Sequence, residues 1–213
     1  SDPAVRLHDL FLGGAVALYA ALKDRTLSDG VITSAAGYKP NPELLGVRAP
    51  GFVTSVGLTL AQWGGGLAPE VPILESDTGI RLVVEDDAMQ EKLLTDPYVA
   101  HGWLPAAYAS TLVDASDFIE DNLGFFDRPI LLLHGDRDIL VPLSSSREVF
   151  QKVNSSVKSL RVYDSPHTVL LERPSALAVH DIILFLNKLA PPQVVAQQYR
   201  IHPAPPFCAA ECC

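Results

Sequence analysis

The chain has 213 residues, 48% hydrophobic and 19% charged, which excludes a largely disordered polymer and allows one domain, or a domain with an insertion, around a sizeable core. Its net charge of −9 repels phosphate, so no nucleic-acid partner is expected. Cys208, Cys212 and Cys213 all lie in the last six residues; this excludes a disulfide framework and a Cys-based zinc site and suits a reducing, cytoplasmic setting, and neither a membrane span nor a signal peptide is legible.

Residues 1–9, SDPAVRLHD, are polar and carry no pattern. The chain begins at Ser1 and its one methionine is Met89, so a processed product or a fragment is expected. FLGGAVALYAALKDR follows. From Ala15 to Leu22 it is rich in Ala and Leu and ends on Lys23 and Arg25, which predicts a buried helix with a basic C-terminus. Val31-Ile32-Thr33 is bounded by Gly30 and Gly37 and reads as a short buried strand. Residues 38–100 then change character, with several prolines and the loop WGGGLAPEVP. Short helices are expected at 52–63 and 86–95, and the stretch reads as a mostly helical insertion capping the main sheet. A long helix is predicted from about Pro105 to Asn122, with Leu112, Phe118 and Ile119 on its apolar side.

The last third is the clearest. Ile130 to Leu133 is an unbroken apolar run, as in strands buried on both faces. SSSREVFQKV reads as a helix with Ser144 or Ser145 at its N-cap. Leu160 to Tyr163 is another strand, and PSALAVHDIILFLNKL is an amphipathic helix with Pro174 near its start. Strand, helix, strand, helix argues for α/β class and a parallel sheet with helices on its faces. The expected divisions are 1–37 and 101–190 as core, 38–100 as cap and 191–213 as a loose tail.

Asp138 and His167 carry the chemical signal. Asp138 lies just past one strand, in HGDRD, and His167 just past the next, in DSPHTV. The 29 residues between them hold one helix and one strand, a standard right-handed crossover. Both loops then meet at the carboxyl edge of the sheet, where open α/β sheets bind ligands. An Asp there can fix one imidazole tautomer and stabilise its protonated form, so that the ring serves as general base for a hydroxyl. Each residue alone has a plainer reading: a turn-forming Asp and an uninvolved loop His. Glu172, five residues on, reads as a cap or orienter of the helix that follows.

HGDRDILVP followed by SPHTVLLE resembles the C-terminal signature of α/β-hydrolases, closest to the monoacylglycerol lipase and serine aminopeptidase-like branch. LGGAVALYAALKDR resembles the helix after that family's nucleophile elbow, DGVITSAAG its next strand, and LLTDPYVAHGW a segment at the end of its cap. The likeness covers roughly residues 12–190. It implies a C-terminal portion of an α/β-hydrolase sheet and a Ser-Asp-His triad in that order, with Asp138 as acid and His167 as base. It further implies a cap over an acyl pocket, ester bonds of monoacylglycerols or related lipids as substrates, and no cofactor.

The resemblance breaks at the nucleophile. The family's elbow is G-x-S-x-G, and aligning its last Gly on Gly13 places Phe11 where Ser belongs and Leu12 at the residue whose N–H would serve the oxyanion. Three strands are counted, near 30–34, 129–134 and 158–163. The strand feeding the elbow is expected to be missing, with a bare edge on the strand at 31–34. A truncated or spliced product, a gene-model artefact and a pseudoenzyme are the competing readings, with truncation favoured. The expectation is that this chain is inactive and that Phe11→Ser alone does not restore turnover.

Other residues carry weaker signals. His8, His101, His134, His180 and His202 have no metal-ligand spacing, so no metal is expected. His134 reads as packed at a strand end. Trp63 and Trp103 read as packing or pocket-lining residues, and Glu85-Asp86-Asp87 as a charge run at a helix N-terminus. The tail cysteines suit palmitoylation and peripheral membrane association, although free thiols are the plainer reading. A non-catalytic lipid- or protein-binding module is the alternative function. Oligomeric state is not legible.

Overall fold

The computed structural model describes residues 6–10, 12–36, 38–39, 70, 72–99 and 101–189. Four parallel strands form the main sheet: β1 (Arg6–Leu10), β2 (Gly30–Ser34), β5 (Ile130–Gly135) and β6 (Lys158–Tyr163), side by side in that order. The register runs Leu7 to Val31, Ile32 to Leu131 and Leu133 to Arg161. β2 and β5 are buried along their whole length, as their near-continuous apolar runs require.

β1 corrects the expectation of a missing strand and a bare β2 edge. RLHDL has no β-branched residue and only Leu7 and Leu10 as apolar members, so neither propensity nor alternation marks it. Its pairing with β2 makes it a strand. A strand therefore does precede the helix that begins at Leu12.

Helices α1 (Leu12–Lys23), α4 (Ala106–Asn122) and α5 (Leu143–Lys152) lie on one face of the sheet. Leu18, Ala21, Ile119 and Val149 pack there against Val31, Ile130 and Leu132. The opposite face carries α6 (Ser175–Leu189), whose Ala178 and Phe185 meet Ile32, Leu131, Leu133 and Tyr163. Alternate residues of β5 thus feed different cores, the consequence of its two-residue side-chain period. Both faces are covered, as a parallel sheet demands.

Residues 35–129 intervene between the adjacent strands β2 and β5. They hold β3 (Pro72–Glu75), α2 (Ser76–Val83), α3 (Asp87–Thr95), β4 (Trp103–Pro105) and α4. β3 and β4 form an antiparallel two-stranded ribbon apart from the main sheet. This ribbon and α2 were not legible, because four and three residues with prolines at their ends read as loop. The helix expected at 86–95 is α3: Asp86 is its N-cap and accepts from the Met89 N–H at 2.8 Å, which accounts for the local acidic run. The helix expected at 52–63, Trp63 and the tail from 191 lie outside the described residues. Neither Ser144 nor Ser145 caps α5. The helix starts one residue earlier, after Pro142 and without a side-chain cap, and the Ser145 hydroxyl instead donates to the Tyr38 carbonyl. No described helix is long and apolar enough to cross a membrane.

Candidate active site

Asp138 and His167 meet at the carboxyl edge of the sheet. β5 ends at Gly135 and β6 at Tyr163, and these two residues are register partners. The turn after β5 is held by Asp136 N–H on the Tyr163 carbonyl, 2.9 Å, and by Arg137 N–H on the Ser165 carbonyl, 3.1 Å. The two post-strand loops are therefore stitched together before any side chain is considered. The Nδ1–H of His167 donates to Asp138 Oδ2 at 2.7 Å, a short, charge-assisted distance. The Asp138 side chain is fully buried and that of His167 is 3% exposed.

Three hydrogen bonds hold the Asp138 carboxylate, and a fourth nitrogen stands close to it. Oδ1 accepts the N–H groups of Leu140 and Val141, both at 2.9 Å. Oδ2 accepts from His167 and is also 3.3 Å from Nε2 of His134. Burial alone would raise the carboxyl pKa. The hydrogen bonds from His134 and His167, the charge of His167 and the Val141 N–H outweigh it and hold the group at about 2. Asp138 thus stays ionised throughout the neutral range. A buried, ionised carboxylate bonded to one imidazole nitrogen orients the ring and stabilises its protonated form.

His134 is the site residue that sequence reading missed. It is fully buried in line with Ile130 and Leu132 on the α5 face of the sheet. The signal was present: a His at an inward position of an apolar strand must find partners, and an Asp stood four residues away. Its Nδ1 lies 2.7 Å from the Ser146 hydroxyl and its Nε2 3.0 Å from the Val141 carbonyl.

The His167 loop is also fastened to the chain between α2 and α3. Glu172 is 7% exposed, and its carboxylate accepts the Glu85 N–H at 2.7 Å. The Thr168 hydroxyl donates to the Val83 carbonyl at 3.0 Å. Arg137 bridges Asp164 and Glu85, both at 2.8 Å. Glu172 does meet the following helix, through its carbonyl and the Ser175 N–H, but its carboxylate reaches the inserted segment. Leu12 is the first residue of α1. Phe11, like His8 and His202, is not a residue whose surroundings are described. Trp103 is 64% exposed and lines no described pocket. His101 sits outside the site, bonded to Asp77 at 2.8 Å. An apolar groove of about 660 Å³ runs between α1 and α4, lined by Ala15, Val16, Tyr19, Pro105, Leu112 and Ala115 among others.

The chain is similar to several known proteins. The chain is 29% identical over 181 residues to a monoacylglycerol lipase of Mycolicibacterium smegmatis, covering 84% of this chain and 60% of the relative. The crystal structure of the Paleococcus ferrophilus monoacylglycerol lipase superposes with a TM-score of 0.70 at 20% identity, over 84% of this chain and 66% of that one. A soluble variant of the Saccharomyces cerevisiae monoglyceride lipase, solved with a substrate analogue, gives 0.68 at 18%, over 85% and 61%. The chain thus spans less than two thirds of the length of these proteins. The family model described as serine aminopeptidase, S33, matches residues 12–174. That span carries α1, both site loops, Asp138 and His167, and the chain belongs to this serine aminopeptidase-like family of α/β-hydrolases, on its monoacylglycerol lipase-like branch.

Proposed function

We propose that this chain carries the acid and base of a serine hydrolase that cleaves carboxylic esters of lipids. Asp138 is the acid, His167 the base, residue 11 the nucleophile position, and the Leu12 N–H at the start of α1 an oxyanion donor. The 2.7 Å bond between Asp138 Oδ2 and His167 Nδ1, made under burial, carries the reading. With its proton committed at Nδ1, the imidazole takes a hydroxyl proton through Nε2 and returns it to the leaving alcohol. The step needs no cofactor. Lipid esters are the substrate class because relatives named for monoacylglycerol share the frame. The proposed setting is cytoplasmic, with the insertion as cap.

Phe11 cannot attack a carbonyl. Loss of a triad nucleophile costs roughly 10⁶-fold, so the chain as it stands turns over no ester. β1 and α1 still flank residue 11, which removes one ground for expecting that serine there would be idle. The unmodified chain is expected to resist a fluorophosphonate probe and Phe11→Ser to be labelled, with labelling lost in Phe11→Ser/His167→Ala. A folded Phe11→Ser chain that stays unlabelled would overturn the assignment of residue 11. Labelling of the unmodified chain that His167→Ala abolishes would place the nucleophile elsewhere.

The groove between α1 and α4 favours a second reading, a lipid-binding module. Its volume suits a small apolar ligand. Titration with a fluorescent fatty acid tests it: saturable binding weakened by Leu112→Asp supports the reading, and no binding removes it.

A further inference from the structure

We propose that His134 is a positioning residue, held in its Nε2–H tautomer by the Val141 carbonyl with Ser146 as donor to Nδ1, that fixes Asp138 Oδ2 for its bond to His167. The inference rests on reading Asp138 and His167 as the acid–base pair, and adds a residue to which that reading gave no part. The argument is one of proton counting. The Val141 carbonyl has no proton to give, so the 3.0 Å contact with His134 Nε2 requires the proton to sit on Nε2. In the neutral ring Nδ1 then presents a lone pair, and the Ser146 hydroxyl, 2.7 Å away, is its donor. Asp138 Oδ2 stands 3.3 Å from the same Nε2, within reach of that proton's charge. Were the proton on Nδ1 instead, a nitrogen lone pair would face a carbonyl and a carboxylate in a fully buried pocket, an arrangement with no compensating donor.

The consequence concerns the carboxylate. The turn's own N–H groups pin Oδ1, but they leave the plane of the group able to swing about that oxygen. His134 supplies the second point. Oδ2 is held from the α5 side by Nε2 and from the β6 side by His167 Nδ1 at 2.7 Å, so the acid faces its base in one orientation. The Val141 carbonyl and Ser146, on α5, thereby hold one tautomer at one ring and a geometry at the next.

Long-range proton–nitrogen NMR of the full chain, labelled at histidine nitrogen, reads the tautomer directly. His134 is expected with a protonated Nε2 and an unprotonated Nδ1; a protonated Nδ1 overturns the proposal. The second measurement is solvent exchange of the His167 Nδ1 proton. In His134→Phe it should speed up about tenfold, the scale of one hydrogen bond to a charged group. His134→Gln, whose amide can reach the same acceptors, should recover part of the loss. Unchanged exchange in a folded His134→Phe chain also overturns the proposal. If that variant does not fold, Ser146→Ala replaces it: faster exchange with recovery in Ser146→Thr supports the proposal, and no change refutes it. None of these readouts needs a nucleophile, so a failure of the probe experiment at residue 11 leaves them informative.

Discussion

Gly135 has room for a hydrogen and nothing larger. A Cβ built there would stand 2.1 Å from the Pro166 carbonyl oxygen and 2.3 Å from that of Ser165. Both obstacles are backbone, so neither can rotate away, and the residue after them is His167. The glycine of the HGDRD turn is thus what lets the His167 loop lie against the Asp138 turn. Gly135→Ala should force the 165–167 backbone outward and cost about 2 kcal/mol or more. A lower urea midpoint, together with loss of the downfield His167 Nδ1 proton signal, would verify this; an unchanged spectrum would refute it. Asp138 and His167 were legible from sequence because each follows an apolar strand at the spacing of one crossover. Glu172 meets the following helix as expected, but its carboxylate contact with Glu85 spans a sequence separation of 87 that no local pattern reports. His134 was seen as packed and missed as a donor, because burial of a His does not say which of its nitrogens works.

Arg128 shows how an element end depends on a distant residue. Its guanidinium donates to the carbonyls of Ser28 at 3.0 Å and Arg25 at 3.2 Å, and to that of Ala21. These close the C-terminus of α1, where carbonyls lack intrahelical partners and a cation is favoured. The same plane lies 4.9 Å from the Phe126 ring centre. Arg128→Ala should therefore lower stability by about 2 kcal/mol. Arg128→Lys should recover little, because one ammonium cannot span the carbonyls that the planar fork reaches. Urea unfolding of the three chains decides it, and a lysine variant as stable as the parent would refute the fork argument. Element by element, the fold was readable wherever period and length agreed: β2, α4, β5, α5, β6 and α6 lie within a residue or two of their expected places, and α1 begins three residues before the Ala15 start expected for it. β1 escaped because its status comes from pairing with β2 rather than from its own residues. The ribbon of β3 and β4 escaped because its strands pair across a separation of some thirty residues.

For the whole molecule, charge sets the pH range of stability. Several carboxylates of this acidic chain are held in their ionised form by the fold. Asp138 is at about 2 against an ordinary 3.8. On the surface, Glu120 and Glu148 share Lys39 and Lys152 in a four-membered network linking α4, α5 and the chain after β2. Glu120 is lowered first by its bond from Lys39. At Glu148 partial burial pulls upward, and bonds from Lys152 and Lys39 more than offset it. A carboxylate with a depressed folded-state pKa stabilises the fold above its unfolded pKa, and the contribution fades as pH falls toward the folded value. The loss should therefore begin near pH 4.5 for the glutamates and extend to about pH 2 for Asp138. Asp138 alone accounts for about 2 kcal/mol at neutral pH; the exposed network adds less, because solvent screens it. Below that range the chain keeps its 16 Lys and Arg while the carboxylates lose their charge, so self-repulsion deepens the fall. Urea midpoints should stay level from pH 7 to about 5 and then drop steadily to pH 2. In Asp138→Asn the stability gap to the parent should be widest at pH 7 and should narrow below pH 4, as the parent's own carboxylate takes up a proton. A gap that stays constant down to pH 2 would mean that Asp138 contributes through packing and not through its charge, against the hydrogen-bonding assigned to it.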